Sequence, residues 1–185
     1  MFELRPLPYD HPDADALTER AQEYYVDIYG GRDEDPVTAA ELTPPHGGFV
    51  VGYLDGRPVA MGGWLLVDSP DGHPRDGIDP PAASAHVGRV AQIRRMFVDE
   101  GLRRRGLAAA VLAQLEADAA RNGATSIILA TGQPQVEAIS LYRRHGYLDI
   151  APFGYYADGD RVVCLGKDLQ SARARPAPPT DQPTS

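Results

Sequence analysis

The sequence predicts a mixed α/β domain: a mostly antiparallel, twisted sheet of about seven strands with one parallel pair, and helices set between the strands. Strand-length apolar runs alternate with longer runs of helical period, in the order β α β β β α β α β β. The dipeptide Asp55-Gly56 between two apolar runs is a strong hairpin signal, so the sheet begins antiparallel. The strand ending at Val98, the helix after it and the strand "SIILAT" then form a crossover unit, which joins a parallel pair.

Each element has its own warrant. "FELRPL" reads as the first strand, and "DADALTERAQEYYVDIYG" as a helix with Leu17, Ala21, Tyr24, Tyr25 and Ile28 at helical spacing, stopped by Gly30-Gly31. Two strands follow, residues 48–54 and 58–67. Residues 68–85, dense in Pro, Gly and Asp, read as a long surface loop. In the strand ending at Val98, the residues Val90, Ile93, Met96 and Val98 break strict alternation, which predicts a bulge near residues 92–95. A helix over residues 104–122 follows from Leu107, Val111, Leu112, Leu115 and Ala119, with Gly123 as its stop. A further helix spans residues 134–145 and ends at Gly146, and two strands, 147–152 and 161–167, close the domain at about residue 169. Residues 170–185, rich in Pro, Ala, Ser and Thr without a large apolar side chain, are expected to be disordered.

Composition excludes several classes. A chain of 185 residues with 43% hydrophobic and 24% charged residues matches a soluble globular domain. It holds no apolar run of bilayer-spanning length and no basic-then-apolar leader, so the expected place is the cytoplasm, with no membrane partner. The single Cys164 forms no internal disulfide, and no His or Cys cluster has zinc-ligand spacing, so no metal is expected. A formal charge of −8 opposes nucleic-acid binding, whose affinity comes largely from neutralised phosphates. It suits a small or cationic substrate.

The stretch "FVDEGLRRRGLAAAVLAQLE" concentrates the chemistry. "RRRGLA" follows a strand and opens a helix, where backbone N–H groups lack intrahelical partners and the helix dipole favours an anion. Gly106 allows close approach to the backbone, and Arg103, Arg104 and Arg105 add guanidinium charge suited to phosphate oxygens. Arginines that merely decorated this helix start would oppose its dipole. The segment lacks the Gly-Lys-Ser/Thr ending of a Walker loop and the glycines of a dinucleotide fingerprint.

"IRRMFVDEGLRRRGLAAAVLAQLE" resembles motif A of the GCN5-related N-acetyltransferases (GNAT), a pattern Arg/Gln-x-x-Gly-x-Gly/Ala after a bulged strand. "EAISLYRRHGY" resembles motif B, and "RVVCLGKDL" the family's last strand. The resemblance covers residues 2 to about 169 and implies a GNAT-like sheet with a splayed parallel pair and about four helices. It further implies transfer of an acetyl group from acetyl-CoA to a primary amine of a small molecule, by direct attack in a ternary complex. Peptide or protein N-acetylation and a non-catalytic acyl-CoA sensor are the competing readings. Family members often form homodimers, and the resemblance extends that expectation to this chain.

By the same resemblance, backbone amides of Arg103, Arg104, Arg105, Gly106, Leu107 and Ala108 hold the CoA pyrophosphate. Met96, Phe97 and Val98 offer backbone to pantetheine and the thioester carbonyl, and Gln135 occupies a position near pantetheine. Tyr142 matches the tyrosine that protonates the departing thiolate. Gln92 stands where many relatives carry a glutamate base, and a carboxamide can only position water or substrate. His46, His73, His86 and Glu100 read as surface residues, Cys164 as core, and Tyr155 and Tyr156 as loop aromatics near the acceptor.

Overall fold

Burial of side chains on both faces of the central strands and a few enforced backbone angles build the sheet. In the computed structural model, which describes residues 1–67, 89–153 and 161–170, β1 (Phe2–Pro6) pairs antiparallel with β2 (Gly47–Leu54). Between them runs α1 (Pro12–Tyr29), capped by His11, whose Nδ1 accepts from the Asp13 N–H at 3.1 Å, and ended by left-handed Gly30. The expected hairpin forms: Asp55 and Gly56, with φ of 50° and 81°, turn β2 into β3 (Arg57–Val67). Antiparallel to β3 runs β4 (Arg89–Val98), and a short 3-10 turn, Glu100–Leu102, leads to α2 (Leu107–Arg121). The remaining elements are β5 (Ala124–Gly132), α3 (Val136–Arg144), β6 (Leu148–Asp149) and β7 (Val162–Asp168).

The strand order is β1-β2-β3-β4-β5-β7-β6, with β4 and β5 the parallel pair. α2 covers one face, where Val111, Leu112, Leu115 and Ala119 pack with Trp64, Ala91 and Ile127. α1 covers the other, with Leu17 and Ala21 against Phe49, Val51 and Met61. Three α-helices and one 3-10 turn stand among the described residues, fewer than the four helices expected. Residues 32–38 have no regular structure and residues 39–46 form turns, because Gly31, Pro36, Pro44 and Pro45 break any continuous helical run.

One irregularity positions the site. The β3–β4 register breaks between Met61 and Gly63, and Arg95 sits in the left-handed region at φ 57°. Beyond this bulge β4 leaves β5: ladder pairing stops at Gln92 and Ile128, although β4 runs on to Val98 and β5 to Gly132. Arg94 and Arg95 fasten the segment after α1 to the bulge, by contacts of 2.7 Å to Asp35 and 2.6 Å to Asp33. Gln22 completes the clamp through both backbone polar groups of Asp33. Burial raises the Asp35 carboxyl above its usual range despite the Arg94 guanidinium beside it.

The expected loop 68–85, His73, His86, Tyr155, Tyr156 and the tail beyond Gln170 lie outside the described residues. Among the described residues no helix is long and apolar enough to cross a membrane, and no group of His, Cys, Asp and Glu could hold a metal ion.

Candidate active site

The predicted helix start at residue 104 is corrected to Leu107, because the turn before it uses backbone that a helix cannot. Arg103 is extended (φ −62°, ψ 163°), Arg104 is left-handed (φ 60°) and Gly106, the N-cap, is left-handed at φ 83° and ψ −2°. The first bond into α2 runs from the Ala110 N–H to the Gly106 carbonyl at 3.0 Å. Among the described residues, no backbone carbonyl accepts from the amides of residues 104–109, and no side chain caps the helix. A cluster of unpaired N–H groups at the positive end of a helix dipole is a built anion site. At Gly106 an added Cβ would meet nothing within 4 Å, so the backbone is open to a ligand there.

The three arginines have separate duties. Arg103 lies over the Tyr24 ring at 4.2 Å and donates from Nε to the Val98 carbonyl at 3.4 Å. Arg104 lines the cleft in front of the helix. The Arg105 side chain does not line that cleft; the Asp55 carboxyl is held below its usual range first by the N-terminal ammonium bonded to it and only secondarily by Arg105. Behind the turn, Arg20 grips both Asp99 oxygens at 2.8 and 2.6 Å and the Pro58 carbonyl at 3.0 Å.

The cleft measures about 750 Å³. Met96, Phe97 and Val98 of β4 form one side, Gly106, Leu107 and Ala108 the helix end, and α3 with Gln135 the other side. Where β4 and β5 part lies a second cavity of about 60 Å³, and four residues line both: Tyr25, Met96, Gln135 and Tyr142. Gln135 donates from Nε2 to the Tyr29 hydroxyl at 2.8 Å, tying α3 to the end of α1. Tyr29 packs so closely on Gly132 that a Cβ there would overlap its hydroxyl.

Tyr142 is 5% exposed and meets the Tyr147 ring at 5.7 Å. Burial, helped by the Tyr25 phenol, pushes its pKa well above the usual tyrosine range, so it stays a protonated donor at neutral pH. Gln92 is 7% exposed and lines neither cavity. It lies between Leu65 and Ile128 in register, and alternation along β4 puts it on the same sheet face as Val90, away from α2. Glu100 starts the 3-10 turn, its carboxylate 3.7 Å from Arg103, and His46 sits in the turn before β2. Cys164 is buried in β7 with its thiol pKa raised by that burial, which makes it a poor nucleophile.

Sequence reading took Tyr24 and Tyr25 by their helical spacing as core, yet both line the cleft. It also missed Arg144 and His145, which line the cleft. Arg144 was separable from Arg143 only in three dimensions, where Arg143 pairs with Asp149 at 2.8 Å.

A splayed parallel strand pair carries a glycine-headed, uncapped helix at its mouth and a buried phenol at the junction. The chain belongs to the Acetyltransferase (GNAT) family, which residues 14–147 match. It is 26% identical over 153 residues to an "IAA acetyltransferase" of Azospirillum brasilense, across 83% of this chain and 88% of that protein. A Klebsiella pneumoniae structure described as an acyl-CoA N-acyltransferase superposes with a TM-score of 0.67 at 23% identity, over 91% of this chain and 98% of its own. A GNAT acetyltransferase from Elizabethkingia anophelis, solved with acetyl-CoA bound, gives 0.57 at 10% identity, over 90% and 97%. These structural likenesses show the shared fold.

Proposed function

We propose that the protein transfers an acetyl group from acetyl-CoA to a primary amine of a small molecule, by direct attack within a ternary complex. The observation that carries this is the row of unpaired amides at residues 104–109, opening on a cleft that reaches the Tyr142 phenol. In this reading the amides of Arg104, Arg105, Gly106, Leu107 and Ala108 hold the pyrophosphate, with Arg104 and Arg144 adding charge, while the expected Arg103 amide is taken by the Glu100 carbonyl at 3.2 Å. Met96, Phe97 and Val98, freed from the β5 ladder, offer backbone to pantetheine and the thioester carbonyl, with Gln135 opposite.

The amine nitrogen bonds to the acetyl carbon, the carbon–sulfur bond breaks, and Tyr142 gives its proton to the sulfur. Gln92 cannot act as a base; buried and lining neither cavity among the described residues, its carboxamide keeps only the role of positioning water or substrate. An amine of pKa near 10.4 is neutral in only about four molecules in ten thousand at pH 7, so the rate should climb as pH rises and the neutral fraction grows. We further propose that residues 1–169 form one acetyltransferase domain and that it acts in the cytoplasm.

A thiol-release screen tests the proposal, with purified protein, acetyl-CoA, and panels of amines, polyamines, aminoglycosides and amino acids. Amine-dependent release of free CoA is expected. Acetyl-CoA binding without release on any amine, while peptides with free N-termini do react, would replace the small-molecule acceptor by a peptide one.

A further inference from the structure

The unpaired amides at residues 104–109 belong to a turn that does not hold itself. Arg104 is a non-glycine residue in the left-handed region at φ 60°, and such backbone persists only where neighbouring contacts fix it. Clustered N–H dipoles without an acceptor also oppose one another until an anion joins them. On its far side the turn runs into α2, which Leu107 and Val111 bury in the core. On its near side the anchor comes from α1.

Arg20 and Tyr24, one helical turn apart on α1, grip the two ends of the 3-10 turn that leads into the cradle. At the entry, Asp99 gives its N–H to the Val59 carbonyl at 2.9 Å, and its two carboxylate oxygens accept from Arg20 Nη1 at 2.8 and 2.6 Å. The rest of the Arg20 fork is engaged as well, Nη2 donating to the Pro58 carbonyl at 3.0 Å and Nε to the Ala16 carbonyl at 3.3 Å. At the exit, the Arg103 guanidinium lies 4.2 Å from the centre of the Tyr24 ring. Its Nε donates to the Val98 carbonyl at 3.4 Å, and its backbone N–H to the Glu100 carbonyl at 3.2 Å. Arg20 and Asp99 line neither cavity, so they reach a bound donor only through the turn.

We propose that Arg20 and Tyr24 are positioning residues for the donor cradle: by holding Asp99 and Arg103 they keep the amides of residues 104–109 aligned before the anion arrives. The inference rests on the acetyl-CoA reading above. A preorganised cradle binds without first ordering itself, and releasing either grip moves that ordering into the binding step. Lysine at position 20 keeps the charge but has no planar fork to bridge Asp99 and Pro58 together.

Two measurements test it. The first is isothermal titration with acetyl-CoA, well below the Tm of each variant. Arg20→Leu and Asp99→Leu should each weaken Kd about tenfold, and the double variant less than about twofold more than either, since both remove one grip. Arg20→Lys should still lose at least about threefold. Tyr24→Leu should lose about fivefold, while Tyr24→Phe, which keeps the ring face, should lose less than about twofold. A lowered Tm with unchanged Kd in Arg20→Leu, or fully multiplicative losses in the double variant, would overturn the role. The second follows the Gly106 amide resonance in protein labelled with 15N-glycine, without ligand. It should shift or broaden in Arg20→Leu and Arg20→Lys and sharpen again with acetyl-CoA, while Gly123 at the other end of α2 stays unmoved. An unmoved Gly106 resonance overturns the brace whether or not any amine is acetylated. A moved Gly106 resonance, in a protein whose parent binds no acetyl-CoA, leaves the brace standing and overturns the donor reading instead.

Discussion

Replacing Gly106 separates a backbone cradle from a charged patch, because the two accounts rank the same substitutions in opposite order. At φ 83° and ψ −2° an L-residue loses roughly 1–2 kcal/mol relative to glycine. Nothing lies within 4 Å of an added Cβ, so no collision in the folded chain adds to that strain. Gly106→Ala should therefore lower stability by about 1 kcal/mol, a fall in Tm of about 2–4 °C for a chain of this size. Binding should suffer more. A turn that relaxes to relieve the strain moves amides out of line, and each lost hydrogen bond to a charged oxygen is worth about 1.5–3 kcal/mol, or ten- to a hundredfold in Kd. Arg104→Ala removes a solvent-exposed cation worth at most about 1 kcal/mol, about fivefold. Arg105→Ala should change little, since its side chain is outside the cleft. Isothermal titration with acetyl-CoA at fixed salt measures all three. Binding of Gly106→Ala within twofold of the parent, or a larger loss in Arg104→Ala, would refute the backbone account.

Other parts of the structure give equally direct expectations. Glu116 accepts from the Tyr147 hydroxyl at 3.0 Å and from Lys167 Nζ at 2.7 and 2.8 Å, in a mostly buried site. Glu116→Ala strands both donors and should cost about 2–3 kcal/mol by urea denaturation; a cost under about 0.5 kcal/mol would show that water replaces the carboxylate. Arg144→Ala should weaken acetyl-CoA three- to tenfold and flatten the salt dependence, while Arg143→Ala, which loses only an exposed contact to Asp149, should not. The reverse order would mean that α3 presents a different cation to the cleft. Tyr53, donating to Asp13 at 2.5 Å, has its pKa pushed up to about 12 by burial and that bond. A pKa raised on folding contributes stability below the unfolded value of about 10 and loses it as pH rises toward the folded value. Denaturant midpoints should thus fall between pH 10 and 12, and Tyr53→Phe should fall less steeply.

Much of the fold was legible because its signals are local. Asp55-Gly56 specifies a turn through the positive φ both residues adopt, and Gly30 and Gly123 end their helices with the same geometry. The errors are local too. The α2 pattern runs into the arginines, yet the helix begins only at Leu107, since positive φ at Arg104 and Gly106 holds the preceding turn out of helical form. The bulge was expected near residues 92–95 from broken alternation, and Arg95 with its left-handed backbone lies at the edge of that window. Which strand partner it frees belongs to the register, where β5 pairing ends at Gln92 and Ile128.

The anion cradle and the junction of the two cavities differ in how they are encoded. The cradle is made chiefly of backbone amides on one continuous stretch, so strand, turn, glycine and helix in succession suffice to announce it. The junction is made of side chains from three distant segments: Tyr25 on α1, Met96 on the bulged strand and Tyr142 on α3. No short pattern can encode that meeting, because it depends on α1 crossing the β4 bulge where Arg95 and Asp33 hold it. Gln92 shows the converse. Its place in the strand pattern suggested a catalytic position, but the pleat turns it to the face away from α2 and the bulge lies after it in the chain. A position in a motif reaches the cleft only where the local geometry opens it, as it does for Gly106 and Tyr142, whereas Gln92 lines neither cavity among the described residues.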